Sequence, residues 1–157
     1  MKVNVGCGRI LKKGYTNVDV RKTHPDVVEG DIRNLPFDDN SLEEIYANDV
    51  LEHCSFHETQ DILHHWYSKL QPGGKLFIQS PCLRLVCEFA LKADSIELRE
   101  KAIARIFGGQ DYPENTHLTS IDEVVIEHYL KAAGFHNIEM IAGGFGNKTN
   151  IKVTSFK

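Results

Sequence analysis

The sequence predicts an α/β domain organised around one sheet. Short β-branched runs alternate with longer segments that carry helical periodicity, the pattern of strands joined by crossover helices. At 157 residues the chain matches the size of a single domain. Its last two strand-like runs, 136–142 and 151–156, are joined by a Gly-rich loop at 143–150, which predicts an antiparallel hairpin at the sheet edge.

The remaining elements follow in order. Strands are expected at 2–5, ending in Gly6-Cys7-Gly8, then at 16–20, 26–29 and 43–48. A fifth, at 75–80, follows the turn Pro72-Gly73-Gly74. Ser55 and Glu58 have capping-box spacing, so a helix is expected from Ser55 to Leu70, with Ile62, Trp66 and Leu70 on its core face. Ser120 and Glu123 repeat the box for a helix that stops at Gly134. Two helices at 85–93 and 95–107 form a helical insertion spanning about 81–119 within a single domain of residues 1–157.

Composition removes several classes of function. Hydrophobic residues make up 41% and charged residues 25%, as in ordinary globular chains. Lys and Arg total 18 against 22 Asp and Glu, a net charge of −4, so no nucleic-acid partner is expected. No apolar run approaches the ~18 residues of a membrane span, and no export signal is evident. The expectation is a cytoplasmic protein whose Cys7, Cys54, Cys82 and Cys87 are free thiols. No Cys-x-x-Cys is present, and no metal site is expected. His57, His64 and His65 read as solvated helix surface, and Lys12-Lys13 as ordinary surface.

Chemistry concentrates after the first strand. Gly6 and Gly8 allow a ligand close to the backbone, because neither has a side chain in the way. Asp19, at the end of the second strand, can accept both hydroxyls of a ribose, and Asp31 follows the third strand. The third glycine of a dinucleotide fingerprint is missing, since Leu11 stands there, and no phosphate loop is present. A nucleoside without phosphates fits better than a pyrophosphate, which favours S-adenosylmethionine over NAD or a nucleotide sugar.

Here the sequence resembles the class I S-adenosylmethionine-dependent methyltransferases in their small form. The resemblance rests on Asn4-Val5-Gly6-Cys7-Gly8, Asn17-Val18-Asp19-Val20, Gly30-Asp31-Ile32 leading to Leu35-Pro36-Phe37, Asn48-Asp49-Val50-Leu51-Glu52-His53 and Leu70-Gln71-Pro72-Gly73-Gly74, in the family's order. It implies a Rossmann-like, mostly parallel sheet of seven strands in the order 3-2-1-4-5-7-6, with strand seven antiparallel and helices on both faces. It also implies cofactor roles. Gly6, Cys7 and Gly8 would border the methionine part, Asp19 would bind the ribose, and Val20 would pack on the adenine. Asp31, by its side chain, and Ile32, by its backbone, would hold the adenine edge, while Asn48 would close the floor beneath the sulfonium.

Two departures stand out. Gly6 and Asp19 are thirteen positions apart, against ~20 when a full helix intervenes, so the first connection must shrink to a turn or loop around 9–13. The first strand is expected to begin at residue 2, so the amino-terminal helices that commonly cover the cofactor in that family are expected to be absent, and a lid is expected from elsewhere.

Methyl transfer needs alignment above all, and a base only when the acceptor arrives protonated. His53, after the fourth strand, is the first candidate base, although capping or packing beneath the next helix is the more ordinary role for a histidine there. His117 is the second; the stretch from Gly108-Gly109-Gln110 to His117 resembles one that lies over the substrate pocket in small relatives, and a solvated loop explains it equally well. Asp49 could orient an amine or hydroxyl, or be an ordinary loop carboxylate. Arg84, Arg99 and Arg105 could meet an acidic substrate. The expected function is methyl transfer to a small-molecule or sugar-like acceptor. The alternative is a cofactor-binding, non-catalytic subunit of a larger assembly. Either reading leaves room for a homo-oligomer or a partner subunit.

Overall fold

The computed structural model describes residues 1–143 and 148–157. Its sheet has seven strands: β1 (Lys2–Val5), β2 (Thr16–Asp19), β3 (Val27–Glu29), β4 (Leu42–Asn48), β5 (Leu70–Pro81), β6 (His136–Ala142) and β7 (Asn150–Phe156). Their order is β3-β2-β1-β4-β5-β7-β6, as expected. β3-β2-β1-β4-β5 pair in parallel, and β7 runs antiparallel to both β5 and β6. Part of the expected 143–150 loop lies outside the described residues.

Among the described residues four α-helices accompany the sheet: α1 (Thr59–Lys69), α2 (Leu83–Lys92), α3 (Ile96–Phe107) and α4 (Glu123–Ala133). α1 and α4 pack together and cover one face with Ile62, Leu63, Trp66, Ile126 and Leu130. Under them lie Val3, Val5, Val18, Ile45, Leu76, Ile78 and Val153, alternate strand residues that form the core. The expected cover of both faces is unequal. Cross-strand partners on the opposite face are Lys2 with Glu44, Glu44 with Lys75, Tyr46 with Phe77 and Phe77 with Thr154, a set that long polar and aromatic side chains can leave partly wet. There the β1–β2 loop supplies cover, with Lys12 Nζ 3.9 Å from the Tyr46 ring centroid and Tyr15 edge-on to Tyr46. Lys12 is therefore packed, not free surface.

That loop contains no helix, in line with the short Gly6–Asp19 spacing. Asn17 holds it instead: its Oδ1 accepts from Asn4 Nδ2 and from the Lys12 N–H, both at 2.8 Å. Two expected helix starts move. Ser55 and Glu58 do exchange bonds, the Ser55 N–H donating to Glu58 Oε2 at 3.1 Å, but they close a turn, and α1 begins at Thr59. α4 is capped by Asp122 rather than Ser120; Asp122 Oδ1 accepts from the N–H of Val124 and Val125. Gly134, at φ 102, ends α4 in the left-handed cap. β5 starts at Leu70 and absorbs Pro72-Gly73-Gly74 as an irregularity in its pairing with β4.

Trp66 is fully buried, and its indole Nε1 donates to the Ile32 carbonyl at 2.9 Å. One residue earlier in α1, His65 Nε2 accepts the Leu35 N–H at 2.8 Å. His65 is thus a structural acceptor rather than solvated surface, and burial holds its imidazole below the ordinary value. Cys7, Cys54 and Cys82 are buried thiols and Cys87 an exposed one. Among the described residues no helix is long and apolar enough to cross a membrane.

Candidate functional site

A cleft of about 660 Å³ opens at the carboxyl edge of β1, β2 and β4, and all the cofactor-binding and catalytic candidates line it: Gly6, Cys7, Gly8, Asp19, Val20, Asp31, Ile32, Asn48, Asp49, His53 and His117, whereas Arg84 and Arg99 do not. Parallel strands bring their carboxyl ends to one edge, and the loops that follow them converge there.

The glycine bend has two parts with different reasons. Gly6 (φ 63) is required by packing, because an added Cβ would sit 2.1 Å from Val50 Cγ2. Gly8 (φ 54) faces open space, with nothing within 4 Å of such a Cβ. Asp19 closes the bend: its Oδ2 accepts the Gly8 N–H at 2.8 Å and its Oδ1 accepts the Arg21 N–H at 2.9 Å. The carboxylate is 6% exposed, and its remaining lone pairs are available to hydroxyl donors. Cys7 is held by its N–H to the Val18 carbonyl at 3.1 Å, and burial, then the Asp19 charge, push its thiol up to about 11. Arg21 Nε is buried without a hydrogen-bond partner, 3.8 Å from Asp19 Oδ1.

At the other wall Asp31 is gripped by Arg33, whose Nε donates to Oδ1 at 2.9 Å and whose second nitrogen donates to Oδ2 at 2.8 Å. That bidentate bond holds the Asp31 carboxyl below the usual range. Arg33 was not singled out in the sequence; only its two-residue offset from Asp31 hinted at the pair. Val20 is exposed at the rim, and Ile32 is buried beneath it with its carbonyl taken by Trp66.

The floor is built by β4 and β5. Asp49, at φ 50, has both oxygens engaged by amides: Asn150 Nδ2 at 3.0 Å on Oδ1, and Asn48 Nδ2 at 2.9 Å with Gln79 Nε2 at 3.3 Å on Oδ2. Asn48 thus serves Asp49 directly.

His53 and His117 come together, their rings edge-on with centroids 4.9 Å apart. His53 Nδ1 lies 3.2 Å from the Thr116 carbonyl, and His117 Nδ1 lies 3.1 Å from the Arg105 carbonyl. Burial, then the neighbouring His53, hold the His117 imidazole below its ordinary value. Beside them stands Glu52, 2% exposed, a residue not singled out as a candidate because Leu51-Glu52-His53 gives no periodic sign of burial. Ser80 Oγ donates to Glu52 Oε2 at 3.1 Å, and desolvation pushes the acid up to about 8. Arg105 also lines the cleft, whereas Arg84 is paired with Glu88 and Glu123.

The segment after α3 crosses the cleft. The Arg21 guanidinium lies 4.3 Å from the Tyr112 ring centroid and one of its nitrogens 4.0 Å from Glu114. Gly108 permits the return of this segment, since a Cβ there would sit 2.2 Å from the Asn115 carbonyl.

Comparison with known proteins agrees with this geometry. Residues 7–78 match the family model described as a methyltransferase domain. An S-adenosylmethionine-dependent methyltransferase from Archaeoglobus fulgidus aligns with a TM-score of 0.68 at 15% identity, over 99% of this chain and 85% of that one. A methyltransferase from Haloferax volcanii, in complex with a methyltransferase activator, gives 0.66 at 13% identity over 99% and 81%. A phosphoethanolamine N-methyltransferase from Haemonchus contortus, in complex with phosphomonomethylethanolamine and S-adenosylhomocysteine, gives 0.61 at 13% over 99% and 48%. No curated protein matches the sequence. The chain thus has the Rossmann-like fold of S-adenosylmethionine-dependent methyltransferases of known structure, and its residues 7–78 carry the methyltransferase-domain pattern.

Proposed function

We propose that the chain binds S-adenosylmethionine in this cleft and transfers its methyl group to a small-molecule or sugar-like acceptor. The observation that carries the reading is Asp19, a buried carboxylate bonded to the Gly8 N–H, at a bend whose second glycine faces open space. Those residues fit the cofactor: a carboxylate for ribose hydroxyls, an unfilled volume beside Gly8, and the partnerless donor Arg21 Nε. When bound, S-adenosylmethionine supplies a methyl group already activated by the sulfonium.

The chain then has to bind, orient and exclude water. Gly6, Cys7 and Gly8 form the wall for the amino-acid portion. Asp19 orients the ribose, Val20 packs on the base, and Asp31 with the Ile32 backbone reads its edge. Asn48 and Asp49 brace the floor through their amide–carboxylate bond. The segment 81–119 serves as acceptor wall and partial lid, with Tyr112 and Glu114 reaching Arg21. His53 and His117 each have Nδ1 against a carbonyl, which leaves Nε2 as the nitrogen able to receive an acceptor's proton. The non-catalytic subunit reading gains no support from the comparisons; an activator accompanies the Haloferax protein, and a partner for this chain stays compatible with methyl transfer.

Calorimetry with S-adenosylhomocysteine tests the reading. Wild type should bind, and Asp19→Ala should lose ~1–3 kcal/mol, the usual cost of removing a charged hydrogen bond. Undiminished binding by Asp19→Ala would show the ribose assignment to be wrong.

A further inference from the structure

Glu52 is nearly sealed from solvent, yet no cationic nitrogen lies within salt-bridge distance of it among the described residues, and Ser80 is its one side-chain hydrogen-bond partner. A carboxyl in such surroundings keeps its proton or, once ionised, is matched by a compensating positive charge such as a bound cation. Two imidazoles stand next to it. One ligand atom from each of Glu52, His53 and His117 lies within 4.8 Å of the other two.

The backbone holds this group in place. The N–H groups of Leu118 and Thr119 both donate to the Glu52 carbonyl, at 2.8 and 3.2 Å, and the His117 N–H donates to the Phe107 carbonyl at 3.0 Å. The loop carrying His117 is therefore fastened to the turn carrying Glu52 and His53. Each histidine Nδ1 lies against a main-chain carbonyl, so the proton sits on Nδ1 and the lone pair on Nε2. A backbone carbonyl on the far nitrogen is the common support for a metal-ligating histidine, since it fixes tautomer and ring orientation.

We propose that Glu52 and the Nε2 atoms of His53 and His117 bind a divalent first-row metal ion at the acceptor end of the cleft. Three protein ligands leave coordination positions open toward the cavity. Such an ion selects an acceptor that presents a hydroxyl, whose oxygen it binds and whose proton it makes more acidic. With the metal held on the Nε2 lone pairs, those nitrogens no longer receive the acceptor's proton; in the transfer the acceptor O–H gives it to water instead, and its oxygen forms the bond to the methyl carbon. The carbon–sulfur bond breaks with its electron pair kept by sulfur. The acceptor class rests on the methyl-transfer reading; the metal site does not. The chain's sequence spacing conceals the site, because His117 is distant from Glu52 and His53 and no short ligand motif joins them.

Co²⁺ is the probe. Protein treated with chelator and desalted is titrated with Co²⁺ while ligand-field absorbance is followed, and S-adenosylhomocysteine binding is measured separately by calorimetry. Wild type should saturate at one equivalent. His117→Ala and His53→Ala should each bind at least ~10-fold more weakly, a loss no smaller than that seen for outer-shell changes. Glu52→Gln should behave likewise, and if it fails to fold the two histidine variants carry the test. No Co²⁺ binding by wild type, or equal binding by wild type and His117→Ala, overturns the site. Asp19→Ala should keep Co²⁺ while losing S-adenosylhomocysteine. A wild type that takes Co²⁺ but not S-adenosylhomocysteine leaves the metal site standing and removes the methyl-transfer reading. Methylation of hydroxyl acceptors should rise with Mn²⁺ and vanish in chelator; equal rates in both would overturn the acceptor class.

Discussion

Trp66 Nε1 donates to the Ile32 carbonyl across 2.9 Å, and this bond ties the center of the core to the wall of the cleft that Asp31 and Ile32 line. His65 secures the same loop three residues further on, at the Leu35 N–H. α1 thus sets the shape of a segment that it does not belong to. Replacing Trp66 by Phe keeps the aromatic packing but leaves the Ile32 carbonyl without its donor. The expected cost is ~1–3 kcal/mol in urea unfolding. S-adenosylhomocysteine affinity should fall as well, because the Ile32 backbone loses its orientation. Unchanged affinity in a destabilised variant would confine Trp66 to the core.

The two glycines of the bend should respond differently to alanine. Gly6→Ala drives a methyl group into Val50 and should destabilise the fold, with partial rescue by Val50→Ala. Gly8→Ala meets no atom, so the chain should fold, with some strain from its positive φ, and lose cofactor binding because the methyl enters the open volume. Thermal unfolding paired with calorimetry distinguishes the two cases.

Glu52 makes stability depend on pH in a definite direction. Its folded pKa, about 8, lies above the ~4.3 of an exposed glutamate. The folded state therefore holds its proton after the unfolded chain has released it. Its contribution is fully present below the unfolded value and declines as pH rises, reaching its limit above pH 8, a change on the order of 5 kcal/mol. Urea midpoints in chelator should fall between pH 5 and 8 more steeply for wild type than for Glu52→Gln. Parallel slopes would place the acid in contact with water.

Thiol reactivity should single out one residue. Cys87 is exposed, whereas burial pushes the Cys7 and Cys54 thiols up to about 11 and raises that of Cys82. Iodoacetamide at pH 8 should modify Cys87 first, and the other three only on unfolding, as read by peptide mass.

Much of this was legible in the residues. The antiparallel terminal hairpin, the glycine bend with Asp19 and the helix-free first connection follow from local signals: alternation, turn residues and the distance between Gly6 and Asp19; the strand order followed from the family resemblance those motifs carry. Helix starts were less legible. Ser55 and Glu58 satisfy each other within a turn, and Asp122 outcompetes Ser120 as a cap, because which hydroxyl or carboxylate meets a free N–H depends on how the chain enters the helix.

The sequence by itself determined the sheet and the edge at which ligands gather, since period and turn chemistry act between near neighbours. Only the tertiary structure decided that Glu52 is buried, that His117 folds back over His53, that Arg33 holds Asp31 and that Gly6 answers to Val50. Each of these is a contact made by the packing of separate elements, and desolvation of a side chain is a property of its surroundings rather than of its place in the chain.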